Sequence, residues 1–532
     1  MRPQANAWIA HHEVAGTPGG PLTGLRFAVK DNIDVVGVPT TAADPRRTSA
    51  APRSAYAVQR ILDAGATAVG KTNMDQYATG LVGTRSPYGA CHAVDSPDHV
   101  SGGSSSGSGV VVAAGEVDFA LGTDTAGSGR VPAAFNGIVG IKPSRGLVST
   151  SGVVPACRSL DCVTVFARSV SLARAVYEVM AAYDPAEPYA RRVPQRPVSS
   201  GRPRIGVPSE ALDLEPTHDG AWQKSLVHAA ATADLVPVDI ADLLEAAALL
   251  YSGPWVAERH LAFGDALDHD PVVDPTVRAI VTAGAEMTAR DAYAAFDRLA
   301  TLARASEQVW SGIDALLLPV TPVHPTLAEV AEDPIGVNSR LGRFTNMTNL
   351  LDLCAIAFPG SRRDDGLPFG VQLLAPAGSD DVVHAIAADL LGEVRPQVGH
   401  DGLLLAVAGA HLAGQPLNAD LVARGGRFVR ATRTAADYRM FEVDGPVPRP
   451  GVTRVRGVEQ HGVGIEVEVW ELPRDALAGF AATILPPLAL GPLDLEDGTS
   501  VLGFVCTADG ADPARDISHF GGWRSYLGRS AG

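Results

Sequence analysis

Two short segments rich in glycine and serine, separated by small apolar residues, constrain this chain more than anything else in it. The first is Ser101-Gly102-Gly103-Ser104-Ser105-Ser106-Gly107-Ser108-Gly109 and the second is Thr123-Asp124-Thr125-Ala126-Gly127-Ser128-Gly129-Arg130; together they hold six serines and six glycines. Glycine admits positive φ and close backbone approach. Serine hydroxyls can attack or relay a proton, and amides exposed in tight turns can hold an oxyanion. A flexible linker shares this composition. A linker does not run straight into Val110-Val111-Val112-Ala113-Ala114, nor repeat its pattern after the buried-looking strand at 118–122. The segments read as turns of a buried reactive site.

Upstream, Leu25-Arg26-Phe27-Ala28-Val29-Lys30-Asp31-Asn32 alternates like a strand and places Lys30 at its end. A lysine there is ordinarily a solvated charge. Beside two serine turns it has another use. A serine hydroxyl needs an adjacent base, and lysine is a base only when desolvation or a nearby positive charge lowers its pKa. Lys30, Ser104 and Ser128, the two serines 24 residues apart, resemble the amidase signature family, over roughly residues 22–376. The resemblance implies Ser128 as nucleophile, Ser104 as a bridging serine in a cis peptide and Lys30 as base. It also implies an oxyanion hole from the amides of Thr125, Ala126, Gly127 and Ser128, with Ala126 standing where many members carry glycine. Asp124 and Arg130 flank the nucleophile and read as orienting it through charge-assisted hydrogen bonds. The scheme needs no metal and no cofactor.

Two other motifs are rejected. Gly65-Ala66-Thr67-Ala68-Val69-Gly70-Lys71-Thr72 satisfies the phosphate-loop pattern, which would make this a nucleotide-binding protein, but a helix precedes it and its inner residues are strand-like. Gly103-Ser104-Ser105-Ser106-Gly107 satisfies the α/β-hydrolase elbow pattern, but turn-rich Asp95-Ser96-Pro97-Asp98-His99 stands where a strand is needed. With 532 residues the chain is too long for one core. Its net charge of −16 disfavours nucleic acid and anionic membranes as partners. No apolar run reaches membrane-spanning length, and no signal peptide is visible. The five scattered cysteines (91, 157, 162, 354, 506) fit reduced thiols in a cytoplasmic protein, with Cys157 and Cys162 as small buried residues.

Taken in order, the chain predicts a short helical piece around Trp8, a helix over 54–64, strands near 66–69, 118–122, 137–144, 204–207, 313–319 and 367–374, and helices over 105–114, 168–183, most of 208–311 and 344–354. Strands alternating with helices imply an α/β layered fold, which in the family is a central mixed sheet flanked by helices. Relative to the family the lead-in before Leu22 is short. Residues 394–402 read as a polar linker, placing a boundary between 1–395 and a smaller, strand-rich α+β domain at 396–532, where Gly462–Trp470 alternates cleanly.

Val407-Ala408-Gly409-Ala410-His411-Leu412-Ala413-Gly414 and Phe520-Gly521-Gly522-Trp523-Arg524-Ser525-Tyr526-Leu527 resemble the C-terminal domain of allophanate hydrolases, with a γ-glutamylcyclotransferase-like fold. That resemblance implies hydrolysis of urea-1-carboxylate to ammonia and carbon dioxide in nitrogen catabolism, a functional link to a urea carboxylase, and a homodimer. Tyr251 and Arg259 would hold the substrate carboxylate, sharing one helical face if the helix survives Gly253-Pro254. His411 is the candidate in the second domain, where removal of carbon dioxide is implied. The alternative is a generic amidase, or one component of an amidotransferase, working on another small carboxamide, which a second domain of this type disfavours.

Overall fold

The computed structural model describes residues 5–193, 195–196, 198, 201–264, 267, 270–393, 403–445, 447–455, 461–472, 474–507 and 510–528. The chain divides into two compact units, one of Met1–Arg191 with Gly201–Pro396 and one of Arg192–Ser200 with Gln397–Gly532. The expected linker at 394–402 lies outside the described residues.

The first unit is built on an eleven-stranded mixed sheet. Its order is Trp8–Val14, Thr67–Thr72, Arg26–Lys30, Phe119–Asp124, Cys162–Ala167, Val139–Lys142, Leu353–Pro359, Gly370–Pro376, Ala315–Pro319, Arg204–Pro208, Asp234–Val238. The central strands Phe119–Asp124 and Cys162–Ala167 are buried along their whole length, so they read as apolar runs rather than alternation. Helices pack against them, Ser106–Ala113 on Phe119–Asp124 and Val170–Met180 on Cys162–Ala167.

One pairing positions the site. Arg26–Lys30 runs parallel to Phe119–Asp124 in the register Phe27↔Phe119, Ala28↔Ala120, Val29↔Leu121, and Phe27 stacks on Phe119 at 5.1 Å. Parallel strands end on the same side of a sheet, so Lys30 and the turn after Asp124 emerge together. The helix Ser106–Ala113 approaches just as closely. Ser108 Oγ donates to Leu121 O at 2.9 Å, and a Cβ at Gly107 would lie 2.2 Å from Ala7 O.

Several expectations change. The short helical piece is a single turn, Ala5–Ala7, and Trp8 itself opens the strand Trp8–Val14, which pairs antiparallel with Thr67–Thr72; Trp8 Nε1 donates to Glu116 at 2.7 Å. Helix 344–354 shrinks to Asn346–Leu350, because Leu353 already begins a buried sheet strand. The helical stretch before 311 is interrupted by the strand Asp234–Val238. Thr67–Thr72 is one continuous strand in which buried Lys71 lies 3.4 Å from Asp31 Oδ1 and donates to Thr40 Oγ1, so no phosphate loop exists there. Ser96–Val100 is a short strand rather than a loop. The elbow reading still fails: its central serine, Ser105, is buried and donates its hydroxyl to Thr123 O at 3.1 Å.

The second unit holds a five-stranded sheet in the order Arg427–Arg433, Glu466–Leu472, Leu403–Val407, Ser500–Cys506, Leu488–Asp494, with a hairpin of Tyr438–Val443 and Arg449–Arg454. The alternation in Glu466–Leu472 does not mark a solvent face. Every residue after Glu466 is buried. Glu468 accepts from Ala413 N and Trp470 Nε1 and pairs with Arg524, and Glu471 pairs with Arg427. In this central strand, ion pairs and hydrogen bonds satisfy the polar positions that alternation assigns to water.

Candidate active site

Lys30 is fully buried. Its Nζ donates to Ser104 Oγ at 2.8 Å and to Thr123 Oγ1 at 2.7 Å. Burial drives its pKa down to about 7, against the raising effect of Asp75, Asp161 and Asp124 and with help from Arg259. A lysine so placed is largely neutral slightly above pH 7 and can accept a proton. Ser104 follows a cis Gly103–Ser104 peptide. A Cβ at Gly103 would lie 2.0 Å from Asp75 Oδ2, so only glycine fits. Asp75 in turn donates its amide to Ser104 O at 3.1 Å and accepts the amides of Gly83 and Arg85, both at 3.0 Å. Sequence reading assigned Asp75 no role; its spacing to Ser104 carries no local signal.

The turn bearing Ser128 is held from inside. Asp124 accepts the amides of Gly127 at 2.8 Å and Gly129 at 3.0 Å and pairs with Arg130 Nε at 2.9 Å. Arg130 also donates to Thr348 Oγ1, Gln372 Oε1 and Thr345 O. Asn349 Nδ2 bridges Asp124 O and Leu160 O, and Thr125 Oγ1 donates to Asp161 at 2.5 Å. Gly127 takes φ 138°, and a Cβ there would meet Thr345 Oγ1 at 2.5 Å. Ala126 is accommodated by an apolar cluster with Cys157, Leu160, Leu250, Trp255 and Leu350. The expected oxyanion set needs one correction. The Gly127 amide is committed to Asp124, which takes it out of the expected donor set. Ser128 keeps 3% exposure, and its hydroxyl has no hydrogen-bond partner among the described residues.

Tyr251 and Arg259 do not share a helix. Tyr251 lies in Ala241–Ser252 and Arg259 in Trp255–Phe263, broken at Gly253-Pro254 where proline cannot continue the ladder. The two helices nevertheless bring the Arg259 guanidinium over the Tyr251 ring, 5.9 Å from its centroid. Arg259 is 2% exposed and donates to Ala78 O at 3.3 Å and Thr79 Oγ1 at 3.1 Å. Ala78 and the preceding Tyr77 hold φ 54° and 51°, strained for residues with a side chain. The two carboxylates that act on it are bound elsewhere: Glu258 accepts from the amide and hydroxyl of Ser159, and Asp161 from Thr125 Oγ1 and the amides of Ala156 and Cys157. Among the described residues Arg259 is in no ion pair.

In the second unit His411 lines a cavity of about 390 Å³. Its ring stacks on Phe504 at 5.1 Å and meets Phe480 edge-on, and burial lowers its pKa to about 4. Among the described residues there is no cluster of three or more metal-ligating side chains and no helix long and apolar enough to cross a membrane.

Residues 1–383 match the amidase family. The chain belongs to it. This amidase carries a second match, over residues 403–528, to the allophanate hydrolase C-terminal domain. A urea amidolyase of Saccharomyces cerevisiae is 39% identical over 95% of this amidase, which spans only 30% of that protein's length. An allophanate hydrolase of Kluyveromyces lactis is structurally similar with a TM-score of 0.74 at 38% identity, covering 99% of this chain and 94% of that one. One component of a glutamyl-tRNA(Gln) amidotransferase from Haloarcula marismortui is 33% identical over 72% of this chain and 99% of its own length, leaving more than a quarter of this chain unmatched.

Proposed function

We propose that this amidase hydrolyses urea-1-carboxylate, releasing ammonia in the first unit and carbon dioxide with the help of the second. The observation that carries the reading is Arg259. It is a buried guanidinium in no ion pair among the described residues, with Asp161 and Glu258 acting on it only from a distance, and it sits within electrostatic reach of Lys30. A substrate whose carboxylate pairs with that guanidinium would set its amide beside the base, with Tyr251 closing over the cation.

The chemistry follows from the residues. Neutral Lys30 takes a proton from Ser104, which takes one from Ser128 as its oxygen attacks the carbonyl carbon. The amides of Thr125, Ala126 and Ser128 receive the developing oxyanion. The proton returns through Ser104 to the leaving nitrogen, ammonia departs, and water repeats the sequence on the acyl-serine. The Asp124–Arg130 pair keeps the turn from collapsing into the space the oxyanion needs. His411 is the residue we assign to the second step.

The reading extends to partners. Carboxylation of urea is the reaction class that makes this substrate, so a urea carboxylase is its source. Five free, buried cysteines suit the cytoplasm, and the active form is a homodimer, which sedimentation would report. The decisive test supplies purified protein with allophanate, biuret, malonamide and simple amides and measures ammonia. Turnover of allophanate well above the others is expected; equal turnover of all would leave a general amidase.

A further inference from the structure

The turn that bears Ser128 is held by two carboxylates, and only one of them belongs to it. Asp124 gathers the later part of the turn, accepting the amides of Gly127 and Gly129. The earlier part is fastened from a separate loop, through Asp161. That carboxylate is buried, with 7% exposure, and accepts from three donors. Thr125 Oγ1 and the amide of Cys157 meet Oδ1, and the amide of Ala156 meets Oδ2 at 2.8 Å. The two amides belong to Asp161's own loop and close it on itself. The hydroxyl comes from 36 residues away and joins that loop to the turn. The loop grips the turn in two further ways. Asn349 Nδ2 donates to Leu160 O at 3.0 Å and to Asp124 O at 2.8 Å. Cys157 and Leu160 pack with Ala126 in one apolar cluster. Residues 157–161 are thus tied to Asp124, Thr125 and Ala126 in succession. Burial pushes the Asp161 carboxyl up to about 6 against these hydrogen bonds, so at neutral pH it is an anion with donors on both oxygens.

We propose that Asp161 is a positioning residue for the oxyanion hole: through Thr125 Oγ1 it fixes the amide of Thr125, and with it that of Ala126, in the direction the developing charge needs. The inference rests on the oxyanion turn proposed above and not on the identity of the substrate. Donors stabilise a forming charge best when they need not reorient as it forms. A backbone amide turns with the φ and ψ beside it, and a threonine tied by its hydroxyl to a buried carboxylate has that freedom removed. The tie itself touches no part of the substrate. Its loss therefore weakens the hold on the transition state and spares ground-state binding. Asp161 has a second effect, of opposite sign. Its charge raises the pKa of Lys30, so removing it would by that route favour the uncharged base. A loss of activity on neutralising Asp161 therefore reports the turn and not the lysine.

The test uses the full chain and malonamide, an uncharged amide that makes no demand on the Arg259 cation. Thr125→Val keeps the shape of the side chain and removes the hydroxyl. Its kcat should fall roughly 10- to 100-fold, with KM within about threefold of wild type. Thr125→Ser keeps the hydroxyl and should recover most of the loss. Asp161→Asn should cost about as much as Thr125→Val, and the two together should cost little more than either, because both break one contact. A second readout is inhibition by ethylboronic acid, whose tetrahedral adduct with Ser128 places an oxygen in the hole; its affinity should fall in step with kcat. Wild-type kcat in Thr125→Val, or a double variant whose loss is the product of the two single losses, would overturn the proposal. Should Thr125→Val not fold, Asp161→Asn decides, and wild-type affinity for ethylboronic acid there would overturn it equally. Ser128→Ala separates this inference from the mechanism beneath it. Activity near wild type in Ser128→Ala would remove the turn from the chemistry, whereas an inactive Ser128→Ala beside a fully active Thr125→Val would remove only the role of Asp161.

Discussion

Two arginines of the first unit are fully buried and differ in what surrounds them. Arg130 is saturated: Asp124 takes it through Nε and Nη2, and Thr348, Gln372 and the carbonyl of Thr345 take its remaining donors. Arg259 donates to one carbonyl and one hydroxyl and rests over an aromatic ring. Both carry the desolvation cost of a charge; Arg130 offsets it in a direct ion pair, whereas Arg259 offsets it without one, through its contact with Cys157 and the charges of Asp161 and Glu258. A saturated buried cation is a structural part. An unsaturated one beside a reactive lysine is a place for a ligand.

The largest effect is expected at the turn that Arg130 holds. Ser128→Ala should lower kcat by roughly 10³-fold or more with the fold intact, and Lys30→Ala or Ser104→Ala should each remove most activity. Combining them should add little, because the three act as one unit. Ammonia release by Ser128→Ala near the wild-type rate would put the chemistry elsewhere.

Next comes the saturated cation itself. Arg130→Met leaves the Asp124 carboxylate buried with its two backbone amides but without its paired cation, a loss of about 3–5 kcal/mol, which denaturant unfolding would report. Little change in stability would mean that Arg130 is not the strut its partners suggest.

A tenfold effect is expected from pH. The base must be uncharged, and burial holds Lys30 at about 7, so kcat/KM for an uncharged amide should rise with pH through about 7. One unit below, it should be about tenfold lower. Malonamide suits the measurement because it does not itself titrate there. A profile flat from roughly one and a half units below that value to as far above it would remove Lys30 as base.

The smallest effect sharpens the contrast most. Arg259→Leu removes a buried charge that is in no ion pair among the described residues, so stability should stay within about 1 kcal/mol of wild type or rise. A loss as large as that of Arg130→Met would make Arg259 a second strut.

Legibility in the sequence followed how local each feature is. Ser104 and Ser128 stand in short motifs whose backbone needs leave marks in glycine and serine, whereas Lys30 ends an apolar strand without such a mark, and it is the family resemblance that joins the three. Ser128's support could be read in part, since Asp124 and Arg130 flank it, whereas Asn349 and Gln372 come from more than 200 residues away and leave no mark near it. The Cys162–Ala167 strand was missed because it is short, fully buried and carries Thr164 in the middle. Tyr251 and Arg259 are joined by the family resemblance, and helical spacing puts them on one face only if the helix is unbroken; they meet across a broken helix, where tertiary packing supplies what periodicity does not.

The central claim is that Arg259 holds the substrate's carboxylate. Its most direct test is the ratio of kcat/KM for allophanate to that for malonamide, in wild type and in Arg259→Leu. Hydrogen bonds to charged groups contribute about 1.5–3 kcal/mol, so the ratio should fall roughly 10- to 150-fold, with Arg259→Lys recovering only part of it because an ammonium lacks the planar fork. A ratio unchanged by Arg259→Leu would contradict the account and place the carboxylate on another residue.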